Sequence, residues 1–252
     1  FFGKMNLKNP QRKMLMSNLF YHERYCLTKA QEEIIKPLLP APKATGRPAL
    51  NPLIVFNAIL WIMSSGAAWR DLPAHFGNWN SIYHKLRLWC IFENILKIIN
   101  QEADESSLIE IDSTFCKVHQ SACSALKNQD IGSSRGGKNT KIHVLVNERM
   151  QMINVVLTGG QVHDSEKAIE LFERITLKGK TVLADRAFSS EKIRNYIEKE
   201  GGKVCIPDKR NYKIQHDFDK EMYKKRSIVE RFFQRIKNYR HIATRYDKLA
   251  DC

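Results

Sequence analysis

The spacing of apolar residues changes near residue 106, from a helical period before it to a two-residue alternation after it. A chain with that change must build an all-α part followed by an α/β part. On the helical side Thr28 is placed to cap a helix, with Gln31 as its capping-box partner and Ile34, Ile35, Leu38 and Leu39 as the apolar stripe up to Pro40. The segment Pro40–Pro52, which holds Pro42, Gly46, Arg47 and Pro48, reads as an extended basic linker. A second helix is expected from Pro52 at its first position to Met63, stopped at Ser64–Gly66. A short third helix is expected around Trp69–His75, closed by Gly77, and a fourth from Trp79 to about Asn100. This pattern is helix-turn-helix-like: the candidate reading helix begins at Asn80 and offers Ser81, His84, Lys85 and Arg87 to DNA. A plain bundle with a solvated polar face fits the same pattern.

Beyond the polar break at Gln101–Ser106, Leu108–Thr114 reads as a first strand, Lys141–Asn147 as a second and Met152–Thr158 as a third, the last two joined tightly around Glu148–Gln151. The Ser-, Gly- and Lys-rich stretch Ser121–Asn139 reads as a mobile, DNA-facing loop. A helix from Asp164 to Ile175, a strand Thr181–Asp185, a helix Ser190–Glu200, a strand Lys203–Ile206 and a last helix from about Tyr223 to Arg240 complete the pattern. Three strands, helix, strand, helix, strand, helix is the order of the ribonuclease H-like α/β fold.

Charge narrows the partner. In 252 residues, 41 Lys and Arg stand against 27 Asp and Glu, a net +14 that suits a polyanion, with nucleic acid foremost. The longest apolar stretch, around Leu53–Met63, is broken by Asn57, so no segment is expected to span a membrane. Six scattered cysteines without a CxxC pair, and no secretory signal in Phe1–Pro10, point to a reducing cytoplasm. Residues 1–25 are basic and aperiodic and begin with Phe, which reads as a disordered or non-native extension. The expected domains are then 26–104, helical and DNA-binding, and 105–252, α/β and catalytic.

Asp112 and Asp185 each lie at the polar end of an apolar strand. Two carboxylates brought together repel, and a divalent cation holds both ionised, although each alone is equally readable as a turn aspartate. A third acid comes from the last helix. At about 100° per residue, counting from Tyr223, Arg226, Glu230 and Lys237 fall within about 60° of one another, opposite Ile228, Val229, Phe232, Ile236 and Tyr239. Glu230 is therefore the candidate third metal ligand, with Tyr223, Arg226 and Lys237 as DNA contacts. Arg135, Lys138 and Lys141 flank Gly136-Gly137 as candidate phosphate contacts. Asp164 reads as an N-cap, with His163 as an auxiliary candidate at the site. Cys116, His119 and Cys123 have loosely metal-like spacing but lack a fourth partner, and Trp61, Trp69, Trp79 and Trp89 read as core.

The spacing Y-x2-R-x3-E-x6-K at Tyr223, Arg226, Glu230 and Lys237 resembles the signature of bacterial insertion-sequence DDE transposases. RYCLTKAQ, TGRP, AWRDLP and NWNSIYHKLRLW resemble the N-terminal part of the group named after insertion sequence five. IDSTFCKVHQ, SRGGKNTKIHVLVN, TGGQVHDS, LADRAFSS and VERFFQRIKNYRHIATRYDK resemble its catalytic part. The resemblance implies a ribonuclease H-like core and catalytic, metal-binding acids at Asp112, Asp185 and Glu230. It also implies two Mg²⁺ or Mn²⁺ ions, cleavage and strand transfer at insertion-sequence ends, terminal inverted repeats and target DNA as partners, a homodimer on DNA, and a bacterial, nucleoid-associated cytoplasmic location. A related metal-dependent DNA nuclease and an inactive DNA-binding remnant are the alternatives. Similar members continue past Tyr246–Ala250 into an apolar helix, so a C-terminal truncation is expected here.

Overall fold

The computed structural model describes residues 25–41, 50–88, 106–124, 129–213 and 215–250. The predicted N-terminal extension, most of the basic linker, the fourth helix beyond Leu88 with Trp89, and part of the 121–139 stretch lie outside them. The chain divides into two compact units, Phe1–Ile95 and Leu96–Cys252.

In the first unit, α1 (Lys29–Ile35) opens on the expected capping box: Thr28 Oγ1 accepts from the Gln31 N–H, and Gln31 Oε1 accepts from the Thr28 N–H. Helix α2 (Pro52–Ser65) has Pro52 at its start, the Asn51 side chain as cap and Gly66 in the left-handed region at its end. Val55, Ala58, Ile59, Trp61 and Ile62 of α2 pack with Leu72, Phe76, Ile82 and Leu86. Asn57, the polar break in the apolar run, is itself buried and accepts the Leu27 N–H at 3.0 Å. Where a third helix was expected there are two 3-10 turns, Trp69–Asp71 and Ala74–Phe76. Pro73 is the reason: it pushes the preceding Leu72 into extended backbone (φ −58, ψ 127), which ends the first turn. Helix α3 (Trp79–Leu88) follows.

The second unit is built on one sheet. Its strands are β1 (Leu108–Val118), β2 (Gly132–Ser134), β3 (Gly137–Asn147), β4 (Met152–Gly159), β5 (Thr181–Leu183), β6 (Lys203–Cys205) and β7 (Thr244–Arg245). The order is β2-β3-β1-β5-β6, with β4 also on β3 and β7 also on β1. β2 pairs with residues 137–139 of β3 and β4 with residues 140–146, so the two share the β3 edge that β1 leaves free. β1, β3 and β4 run antiparallel in sequence; β5 and β6 continue from β1 in parallel. This antiparallel trio followed by parallel strands is the ribonuclease H-like order expected from sequence.

Several bounds differ from expectation. β1 and β3 are each 11 residues long, so Asp112 sits inside β1, opposite Val144, and not at its end. Of the supposed loop, residues 120–122 form a 3-10 turn and residues 132–139 a hairpin, β2 turning at Arg135-Gly136 into β3, because Gly137 takes the left-handed backbone (φ +95) that the turn needs. The 164–175 helix is a 3-10 turn (Asp164–Lys167) running into the short α4 (Ala168–Phe172). Helix α5 is Glu191–Lys199. The last helix is broken: α6 (Lys220–Tyr223), a 3-10 turn (Lys224–Arg226), then α7 (Ser227–Ile236), with α8 (Arg240–Ala243) beyond it.

Two apolar clusters cover the sheet. Ile109, Ile111, Leu145 and Val182 meet Leu171 and Phe172 of α4 and Ile193 and Ile197 of α5. Leu108, Val144, Val146 and Leu183 meet Ile228, Val229, Phe232 and Phe233 of α7. His143 lies in this sheet at 1% exposure, its Nε2 paired with Thr158 Oγ1 at 2.8 Å. Burial holds its pKa down to about 4 against an ordinary 6.5; Asp164 raises it and Lys141 lowers it. The unfolded chain protonates this ring at a higher pH than the folded one, so the fold loses stability as pH falls from 6.5 towards 4. An NMR titration should give His143 a midpoint of about 4; a midpoint at the ordinary value contradicts the packing described.

Candidate active site

The site begins with period two. Glu110 and Asp112 are two residues apart in β1, so both point to the same face of the sheet. β5 runs parallel to β1 with Glu110 opposite Leu183. Two residues on along each strand, past the end of that pairing, lie Asp112 and Asp185. Asp185 caps the 3-10 turn Arg186–Phe188, its Oδ1 accepting the Ala187 N–H at 2.7 Å. From the same side α7 brings Glu230. Glu110, Ile111, Asp112, Asp185, Arg226, Val229 and Glu230 line one cleft with about 90 Å³ of free volume. The three sequence-predicted acids and Arg226 are thus brought together.

The electrostatics follow from crowding acids against an apolar sheet. Burial pushes the Asp112 carboxyl up to about 6; the Ser113 N–H donated to its Oδ1 at 2.7 Å counters this, and the charges of Asp185 and Asp164 add to it. Arg226 is the cation among the cleft-lining residues. Its Nη2 lies 3.7 Å from Glu230, its Nη1–H donates to Tyr223 Oη at 2.9 Å, and its guanidinium stands 5.3 Å from the centre of the Tyr223 ring. Burial opposes the guanidinium charge, but Tyr223, Glu230 and Asp185 raise its pKa above the ordinary value. Tyr223 therefore serves Arg226 and does not line the cleft.

Oxygen donors from three separate elements suit a hard divalent cation. Among the described residues, however, no group of three or more His, Cys, Asp and Glu is already gathered closely enough to hold a metal ion. Glu230 is half-exposed and leans on Arg226. The donor chemistry fits a divalent ion, and Glu230, held toward Arg226, is one side chain that would have to turn to meet it.

The other predicted residues lie elsewhere. Lys237 is exposed at the far end of α7, about 10 Å along the helix from Glu230. The unbroken helical phase assumed for Tyr223 to Arg240 does not hold, and Tyr239, expected on the buried side, is exposed. Arg135 and Lys138 are exposed on the β2–β3 hairpin; in the first unit Arg87 is exposed and Lys85 half-buried on α3. His163 is exposed and does not line the cleft; it is the actual N-cap, its Nδ1 accepting the Ser165 N–H while Glu166 accepts the His163 N–H. Asp164, expected in that role, instead accepts from Ser113 Oγ and pairs with Lys141 at 3.0 Å. Burial raises its pKa, but these hydrogen bonds win and hold it below the usual range.

Lys141, expected to meet phosphate, is only 6% exposed. Its ammonium donates to Val162 O at 2.6 Å, pairs with Asp164 and lies 4.9 Å from the centre of the Phe115 ring. It is a structural cation that ties β3 to the loop before α4. Sequence reasoning also passed over Glu110, which is 1% exposed and accepts the Val229 N–H at 3.0 Å. Burial, with Asp112 and Glu230 adding, pushes its pKa to about 8 against the Val229 hydrogen bond and Arg226. The signal was available: an acid flanked by Ile109 and Ile111, in phase with Asp112. Lys141→Ala should lower the unfolding free energy by about 2 kcal/mol, whereas Lys138→Ala should change it by less than about 0.5 kcal/mol. Equal effects in denaturant melts would return Lys141 to the surface.

A family model described as "transposase DDE domain" matches residues 104–251, and one described as "putative transposase of IS4/5 family" matches residues 27–96. The uncharacterized protein y4sN of Sinorhizobium fredii is 32% identical over 99 residues, 38% of this chain and 78% of its own length. Among solved structures, the piggyBac transposase synaptic complex with hairpin DNA aligns at 16% identity and TM-score 0.39, over 79% of this chain and 51% of that one. The chain thus spans about half the length of that transposase. The catalytic domain of Mos1 mariner transposase aligns at 10% identity and TM-score 0.29, over 60% of this chain and 87% of that one.

Proposed function

The chain belongs to the transposase DDE domain family, and from that premise we propose that it binds the terminal inverted repeats of an insertion sequence, cleaves them and joins the freed ends to target DNA. Dependence on a divalent metal comes with the family; two Mg²⁺ or Mn²⁺ ions are the finer reading. The observation that carries the proposal is one cleft lined by the acids Glu110, Asp112, Asp185 and Glu230 and by Arg226, with Asp112 from β1, Asp185 from the turn after β5, and Arg226 and Glu230 from the last turn and helix.

Asp112, Asp185 and Glu230 would hold the ions. When bound, such ions supply Lewis-acid stabilisation of charge on the attacking and leaving oxygens of the phosphodiester. The rest falls to the chain. β1 carries Asp112 and the turn after β5 carries Asp185, and the Ser113 and Ala187 N–H groups orient one oxygen of each. Arg226, held by Tyr223, is placed to release Glu230 and contact a phosphate oxygen. The exposed cations Lys224, Lys225, Arg231, Arg235 and Lys237 along the same segment suit the DNA backbone beyond the cleft. Arg135 and Lys138 on the hairpin, and Lys85 and Arg87 on α3, extend that proposal to further DNA contacts. Two inverted-repeat ends call for two copies of the chain, so a homodimer on DNA, at the bacterial nucleoid, is part of the same reading. Among the described residues no helix is long and apolar enough to cross a membrane.

The test uses duplexes carrying the sequences that flank the gene, with Mg²⁺ or Mn²⁺ and a supercoiled target. The wild-type chain should nick at the repeat ends and produce joined molecules. Asp112→Asn, Asp185→Asn and Glu230→Gln should each reduce both products at least about a hundredfold while leaving DNA binding within a fewfold of wild type. Nicking without joining would make the protein a nuclease, and survival of cleavage in any of the three variants would refute the assignment of that acid.

A further inference from the structure

The break in the C-terminal helix and the buried Glu110 explain each other. α7 starts afresh at Ser227, and the first N–H groups of any helix have no intrahelical acceptor. Capping usually comes from the residue just before the helix, but Arg226 occupies that position and makes no side-chain capping hydrogen bond. The acceptor comes instead from 119 residues away: Glu110 Oε2 takes the Val229 N–H at 3.0 Å. Val229 immediately precedes Glu230. Glu110 also shares a strand face with Asp112 and is flanked in the sheet by Val146 and Leu183, so the backbone that carries its carboxyl is held by pairing on both sides.

We propose that Glu110 is a positioning residue, a long-range cap that sets where α7 begins and thereby fixes Glu230 relative to Asp112. The proposal rests on the reading of Asp112, Asp185 and Glu230 as the metal-holding acids. It assigns Glu110 no contact with substrate or metal. One strand then carries both a candidate ligand, Asp112, and the group that aims another, Glu230. If α7 slipped by one residue in register against the sheet, Glu230 would rotate by about 100° and leave the cleft. The apolar contacts of Ile228, Val229, Phe232 and Phe233 hold α7 against the sheet, and the Glu110 cap supplies the polar contact that selects its register.

The test compares wild type, Glu110→Gln, which keeps a carbonyl acceptor, and Glu110→Leu, which keeps the volume without one, in the full chain. Val229 amide exchange is read by NMR, and Mn²⁺ affinity by electron paramagnetic resonance. Glu110→Leu should speed Val229 exchange about tenfold and weaken Mn²⁺ binding to a similar degree, and Glu110→Gln should restore both to within about threefold of wild type. Unchanged Val229 exchange in Glu110→Leu would overturn the proposal. So would Glu110→Gln that keeps Val229 protected yet loses Mn²⁺ as Asp112→Asn does, since Glu110 would then be a ligand itself. If Glu110→Leu fails to fold, the NMR coupling across the hydrogen bond from the Val229 amide nitrogen to the Glu110 carboxyl carbon, read in wild type, decides instead: its presence supports the cap and its absence overturns it. If wild type binds no Mn²⁺, the assignment of the three acids fails, while Val229 exchange still judges the cap.

Discussion

A carboxylate placed on a buried strand needs a hydrogen-bond donor, a cation or a proton, and β1 places two of them in succession on one face. Glu110 meets the need with the Val229 N–H, and Asp112 with the Ser113 N–H. Asp185, in the same cleft, brings more negative charge near Asp112, and Arg226 answers it from the cleft wall. The start of α7, the pose of Glu230 and the Arg226–Tyr223 pair all follow from this concentration of charge on one sheet face. A site that raises the pKa of its own acids is under electrostatic tension that a divalent cation relieves. Carboxylates shifted in this way cluster at functional sites.

Behind that face the sheet is held by ordinary means. α4 and α5 cover one apolar layer and α7 the other. Lys141, Asp164 and Ser113 pin the loop before α4 to β1 and β3, next to the strand position of Asp112. On α5, Arg194 donates to Ile206 O at 2.6 Å and to Asp208 at 2.7 Å, fixing the segment that leaves β6. The rigid elements thus supply Asp112 and Asp185, whereas Glu230 rests on a helix whose start is set by a single tertiary hydrogen bond.

The parts of this arrangement legible in the sequence are those fixed by local rules. The Thr28 and Gln31 capping box, Pro52 at a helix start, Gly66 at its end and the strand alternation in 108–114, 141–147 and 152–158 are decided within a few residues, and the fold order followed from them. Pro73 was equally local but was read through, which merged two turns into a helix. The losses that sequence could not avoid are tertiary. Nothing near Lys141 announces that Phe115 and Asp164 will enclose it, and nothing near Ser227 announces that its helix is capped from Glu110. Helical phase still put Arg226 and Glu230 on one side because only four residues separate them across the break, and it failed at Tyr239, beyond the end of α7. Asp112 and Asp185 were legible mainly through the family resemblance, since as single strand aspartates each also reads as a turn residue.

The central claim is that Asp112, Asp185 and Glu230 act as one set around a divalent ion, and crystals of the chain soaked in Mn²⁺, with data collected at the manganese absorption edge, test it directly. The account predicts anomalous density between the Asp112 and Asp185 carboxylates, with Glu230 turned away from Arg226 to meet it. Manganese bound elsewhere, or bound in the cleft with Glu230 still paired to Arg226, would contradict it.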